Sequence, residues 1–288
     1  MVTVAVIGAG GVIGSAIARR LAADGHNVRA ISRAECDLAL PATCAALDLA
    51  GCDALVHAGG ITEESARTAQ AWAHAATGWQ AVLDRAKAAN IGRVVYVSSA
   101  HVYGTLEGSI DETTAPDPRG DYALLHYASE QILRRNGFAG AILRAGNVYG
   151  MPTNLDNFAR WALVPYGFPQ EAAQAKRITL KSPGLQMRNF VPASGIAAAV
   201  ARELAGNTPA LDVINVAGND TLSMRDFAAR VAGVAKRVLG FDITLDMPPA
   251  PPNAPAALRF VSRLGPQAGD LDAFLADMLR ACATTKES

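Results

Sequence analysis

"VTVAVIGAGGVIGSAI", residues 2–17, is the stretch on which the fold turns. An apolar, β-branched run leads straight into glycines at 8, 11 and 14. An amphipathic pattern follows, "VIGSAIARRLAADG", with Gly25 placed to stop it. Glycines between a strand and a helix permit a tight turn and close backbone approach to a pyrophosphate. The helix N-terminus adds unpaired N–H groups and a partial positive charge. Ile13 stands where the common G-x-G-x-x-G pattern needs its last glycine, so the spacing is G-x-x-G-x-x-G.

Outward from that loop, "NVRAIS", "DALVHAG", "RVVYVSS" and "AILRAG" read as buried strands, with helical patterns between most of them, notably over 63–89 and 121–136. The expected fold is α/β, a Rossmann-type doubly wound parallel sheet over 1–150. A smaller C-terminal substrate-binding α/β region spans 151–288, with some segments returning to the main domain. After Gly150 the elements shorten. A helix is expected over 154–167, carrying Phe158, Trp161 and Tyr166 as pocket wall or core. Others follow in "SMRDFAARVAGVAKRVLG" and over 269–283, with a proline-rich loop over 247–257. The chain contains no internal repeat.

The bulk properties exclude several classes. Of the 288 residues, 50% are hydrophobic and 18% charged, an ordinary globular composition. Lys+Arg equals Asp+Glu at 26 each, so no basic surplus points to nucleic acid or an anionic membrane. Apolar runs stay short of a membrane span, and a strand-like run begins directly after Met1, so a cytoplasmic protein without a membrane partner is expected. Cys36, Cys44, Cys52 and Cys282 form no CxxC pair. They read as reduced, buried thiols, and no metal site is expected.

"HAGG" (57–60), "VYVSSAHVYG" (95–104), "YALLHYASE" (122–130), "LRAGNVYG" (143–150), "MRNFVPASGIAAAV" (187–200) and "INVAGNDTLSMRDF" (214–227) complete a pattern. With the glycine loop, they make the chain from Val2 to about Val238 resemble the extended short-chain dehydrogenases/reductases. This is the group of NAD(P)-dependent nucleotide-sugar epimerases, dehydratases and 4-ketoreductases. The resemblance implies an enzyme with a nicotinamide cofactor held by Gly8, Gly11, Val12, Ile13 and Gly14. Further contacts are implied at Ala58, Gly59 and Gly60, and at Ala145 and Val148. Asp37-Leu38 matches the family's adenine-contacting pair. Where NAD enzymes commonly end the second strand in an acid, this chain has Ser32 and Arg33, which suit a 2′-phosphate. NADP(H) is therefore favoured, with NAD(H) left open. The short passage from Arg33 to Asp37 is similar to that of the 4-ketoreductases.

The same resemblance implies a catalytic set. Ser99 would hydrogen-bond the substrate oxygen and Tyr122 would be the acid. His126 stands in the place of the usual lysine, where it would touch the cofactor ribose. With an ordinary pKa near 6.5, His126 is expected to charge on the acid side and to assist Tyr122 there. Ala100 and His101 replace the Asp-Glu pair of dehydratases, which argues against 4,6-dehydration. Asn147 and Arg188, with Ser99 and His101, are the implied substrate contacts, and Arg259 and Arg263 are candidates for a second diphosphate arginine. His57 is expected to be structural. A homodimer is expected through helices 63–89 and 121–136, with Trp72, Trp79, Leu124, Tyr127 and Ile132 on its faces.

The reading that results is an NADP(H)-dependent reductase of a keto group, on a nucleotide sugar or similar polar carbonyl substrate. A 4-epimerase is the alternative. A catalytically impaired NADP(H)-sensing protein is the alternative from another class.

Overall fold

Buried parallel strands need apolar side chains on both faces, and β1 (Thr3–Ile7) supplies them. The computed structural model describes residues 1–59, 66–207, 209–251 and 257–284. After β1 come α1 (Val12–Ala23), β2 (Asn27–Ile31), the short α2 (Pro41–Ala45), β3 (Ala54–His57) and α3 (Ala69–Ala88). β4 (Arg93–Ser99) runs into a single 3₁₀ turn, Ala100–Tyr103, and β5 (Gly108–Ile110). Next are α4 (Asp121–Asn136), β6 (Ala139–Ala145), β7 (Asn147–Tyr149), α5 (Val164–Ala175), β8 (Arg177–Thr179) and β9 (Met187–Pro192). The chain ends with α6 (Ala193–Ala205), β10 (Leu211–Val216), β11 (Asp220–Ser223), α7 (Met224–Leu239), β12 (Thr244–Asp246), β13 (Leu258–Phe260) and α8 (Leu271–Thr284).

The main sheet has six parallel strands in the order β10-β6-β4-β3-β1-β2. Alternation along β1 splits the core. Val4 and Val6 face Ile17 and Leu21 of α1 with Ile196 and Val200 of α6, whereas Ala5 and Ile7 face Trp79, Val82 and Leu83 of α3. From β1 the chain first builds β2 on one side and then crosses to β3 on the other. That reversal opens a crevice at the carboxyl ends of β1 and β3, where open α/β sheets bind ligands. Between β2 and β3 the only helix is the five-residue α2.

A third core lies in the C-terminal region, where Phe190 stacks on Phe227 at 4.5 Å. The two regions interlock: β10 is the sixth strand of the main sheet, and α6 shares a core with α1. The helix expected over 154–167 forms ten residues later, as α5. Pro165 sits in its first turn, where no N–H is needed, and Asn154 accepts the N–H of Asp156 to hold a turn instead. Phe158, Trp161 and Tyr166 pack on one another in the third core, at 4.7–5.0 Å between neighbouring rings.

The helix expected over 63–89 begins at Ala69, with the Thr68 hydroxyl capping the N–H of Ala71. Residues 63–65 lie outside the described residues. The dimer expectation loses one member, because Trp79 is fully buried and donates its indole N–H to Ser129 O at 3.1 Å. Leu124 is exposed. The proline-rich loop carries no regular structure over 247–251, and its remainder to 256 is not among the described residues. No helix among the described residues is long and apolar enough to cross a membrane. All four cysteines are free and buried.

Candidate active site

One wall of the crevice is backbone. Gly8 has φ +82°, and a Cβ there would lie 2.5 Å from Gly59 N. A Cβ on Gly14 would run into Gly8 O. The strand, the turn and the Ala58–Gly59 backbone therefore touch directly, and only hydrogen atoms fit between them. Gly11 is the N-cap of α1 and offers no side chain to its first-turn N–H groups. Nothing approaches the open side of Gly10 within 4 Å. Unpaired donors behind an open backbone fit a dinucleotide pyrophosphate. Val12 and Ile13 pack inward against the main core, as do Ala58 and Val148. Gly60 is outside the described residues.

The adenosine end differs from expectation. Ser32 is engaged: its N–H and hydroxyl donate to Glu35 Oε2 at 2.9 and 2.8 Å. Those two bonds hold the Glu35 carboxyl below its ordinary pKa. Arg33 pairs with Asp37 at 3.2 Å and is 83% exposed. Glu35, four residues beyond β2, thus faces the same turn as Ser32, while the Arg33 charge is shared with Asp37. Asp37 also turns the chain by accepting Ala39 N–H, and Leu38 reaches a small cavity below the crevice.

The facing wall is made of side chains. α4 starts at Gly120 and presents Tyr122 and His126 one turn apart, their rings edge-to-face at 4.5 Å. His126 does not stand free as an ammonium would. Its Nδ1 lies 2.7 Å from Tyr96 Oη, and Tyr96 stacks with His57 and Trp79 in the core. Burial, then the positive fields of nearby groups, push the His126 pKa down to about 3. Burial thus works against the acid-side charge expected of His126. His57 is pushed down to about 4 by burial, and its Nδ1 has no partner among the described residues. Both rings line a cavity of about 10 Å³, together with Leu38, Gly59 and Leu125.

Ser99 ends β4, opposite Ala145 of β6, and caps the 3₁₀ turn by accepting His101 N–H at 3.2 Å. His101 Nδ1 lies 3.0 Å from Ser99 Oγ, and its ring meets Tyr122 edge-on at 5.9 Å. His101 thus makes its polar contact with Ser99, and its ring lies edge-on to Tyr122. Burial, then the charge of Arg188, lower its pKa to about 4. A cavity of about 250 Å³ opens here, lined by His101, Tyr122, Arg67 and Arg119. Asn147 opens β7, beside the β9 strand that carries Arg188.

Glu130, downstream on α4, receives two bonds from Arg144 at 2.7 and 3.0 Å and one from Ser98 at 2.7 Å, all buried. This cluster ties α4 to β4 and β6, directly beneath the catalytic candidates. Arg263 is paired with Asp212, near the amino-terminal start of β10, and so sits away from the carboxyl edge. The sequence reading missed Glu35, Arg67, Tyr96 and Arg119. Only Arg119, just before the tyrosine helix, carried a local signal. No cluster of potential metal ligands exists among the described residues.

Fold and glycine turn together define a class: a Rossmann-type enzyme of the kind that uses a nicotinamide dinucleotide. The model of the NAD dependent epimerase/dehydratase family matches residues 4–217, a span reaching just past β10, and the chain belongs to that family. Among solved structures, RMD from Pseudomonas aeruginosa complexed with NADPH is 21% identical, with a TM-score of 0.78 over 99% of this chain and 100% of that one. The UDP-glucose 4-epimerase of Thermus thermophilus in complex with NAD is 22% identical, with a TM-score of 0.75 over 96% and 99%. The UDP-Glc/GlcNAc 4-epimerase of Campylobacter jejuni is 19% identical, with a TM-score of 0.76 over 99% and 100%. No curated protein matches the chain by sequence.

Proposed function

We propose that the protein reduces a keto group, on a nucleotide sugar or a similar polar carbonyl compound, with NAD(P)H. The observation that carries this reading is the grouping of Ser99, His101 and Tyr122, the last two lining the 250 Å³ cavity. Two hydroxyls there can serve one carbonyl oxygen. When bound, the reduced nicotinamide supplies a hydride to the carbonyl carbon. Tyr122 donates its proton to the oxygen that becomes an alcohol, and Ser99 hydrogen-bonds that oxygen as negative charge develops. His126, tied to Tyr96, holds the tyrosine ring and keeps the lysine's position polar. Arg188 supports an anionic nucleotide sugar, since its charge already bears on His101. Arg33 against Glu35 decides between NADPH and NADH.

A 4-epimerase is the second reading, favoured by the structural likeness to UDP-sugar 4-epimerases. The test is absorbance at the reduced-nicotinamide band with a panel of nucleotide 4-ketosugars and sugars. Stoichiometric loss of NAD(P)H with ketone supports the reductase. Interconversion of sugar nucleotides without net cofactor consumption supports the epimerase. Tight cofactor binding with neither would point to the sensing protein.

A further inference from the structure

Ser99 and His101 are joined twice, which constrains where their protons lie. A hydroxyl has one proton and two acceptor sites. One acceptor site of Ser99 Oγ is taken by the backbone N–H of His101 at 3.2 Å. The contact to His101 Nδ1 at 3.0 Å then has two solutions. If Nδ1 is bare, Ser99 gives its only proton to the ring and has none for a substrate. If Nδ1 carries hydrogen, Ser99 accepts twice and its own O–H remains free.

The proposed reduction needs the second solution, since only there does Ser99 keep a proton for a substrate oxygen. With Nδ1 held by Ser99, the ring nitrogen left for the cavity is Nε2. In addition, Ser99 is only 6% exposed, so water has little access to reorient its hydroxyl.

We propose that His101 is the positioning residue for Ser99: its Nδ1–H fills the second acceptor site of Ser99 Oγ and so aims the serine proton at the substrate oxygen. The sequence motif behind this is Ser-Ala-His, in which the backbone turn and the ring act on the same oxygen. The proposal rests on the carbonyl-reduction reading, whereas the tautomer can be measured without it.

The test therefore has two arms. In the full-length protein with ¹⁵N-labelled histidine, long-range ¹H–¹⁵N correlation spectra report which ring nitrogen carries hydrogen. The His101 signals are assigned by their loss in His101→Asn. Protonated Nδ1 with bare Nε2 between pH 6 and 8 is the expected result, and a bare Nδ1 overturns the proposal whatever the protein catalyses. The second arm compares variants on a competent ketone. Asn places an N–H near the position of Nδ1, whereas Gln places its amide near that of Nε2. His101→Asn should keep kcat within about threefold, and His101→Gln should lose about tenfold or more, with cofactor KM unchanged in both. Equal losses in the two variants, or a greater loss in His101→Asn, overturn it. Ser99→Ala combined with His101→Gln should lose no more than Ser99→Ala alone, because the histidine acts only through the serine. If no ketone is reduced, the functional reading fails while the spectra still decide the tautomer.

Discussion

The two walls of the crevice are built from different material. The β1–α1 wall is backbone at contact distance, and its chemistry is the chain's own N–H groups. The α4 wall is a stack of rings, Tyr122, His126, Tyr96 and His57, standing on a buried ion pair. A backbone site depends on which side chains are absent, since a Cβ on Gly8 or Gly14 would collide with neighbouring backbone. A side-chain site depends on what surrounds each group. The histidines show this: three imidazoles with one intrinsic pKa are all shifted down by burial.

Experiments can break this contrast at five points, ordered by expected effect. Removing the foundation of the ring wall should cost most. Glu130→Ala strands Arg144 without its buried partner and should lower stability by about 3–5 kcal/mol in urea denaturation. Unchanged stability would show that the ion pair does not hold α4. Tyr122→Phe should cut turnover at least about a hundredfold while cofactor affinity stays put, and full activity would remove the tyrosine from the proposed chemistry.

On the backbone wall, Gly14→Ala should cost about 1–3 kcal/mol of stability, with a matching loss of cofactor binding by titration. Binding at wild-type affinity would mean that the loop can yield, and the contrast would fail. Glu35→Gln should improve NADPH binding about tenfold relative to NADH, and Arg33→Ala should weaken NADPH alone. Identical ratios in all three proteins would take discrimination away from the end of β2.

The last effect is a slope, which accumulates with pH rather than appearing at once. The folded pKa values of His57 and His101 near 4, and of His126 near 3, lie below the unfolded value near 6.5. Above that value both states are neutral and pH has no effect through these groups. Below it the unfolded chain binds the protons first, so stability falls as pH drops from about 6.5 towards 4. Each ring contributes up to about 1.4 kcal/mol per pH unit. His126→Gln should flatten this slope between pH 6.5 and 5, and an unaltered slope would place the titration elsewhere.

Much of the wall built from backbone was legible in advance. Gly8, Gly11 and Gly14 lie within one strand-turn-helix unit, so their spacing along the chain is also their arrangement in space. Tyr122 and His126 were likewise legible as neighbours, four residues apart on one helix. The tie of His126 to Tyr96 was not, because it joins α4 to β4 across thirty residues. Nor was Glu35's hold on Ser32, although the two are only three residues apart. Either an exposed or a hydrogen-bonded glutamate is compatible with that local sequence.

The sequence by itself determined the α/β alternation, the glycine turn, the short β2–β3 passage and the candidate residues, because each is set by local periodicity or by a steric need for glycine. The tertiary structure set the burial of the histidines, the partners of Ser32 and Arg33, the core role of Trp79 and the place of β10 in the main sheet. These depend on long-range packing and on the removal of water around each group, and no stretch of chain carries that information alone.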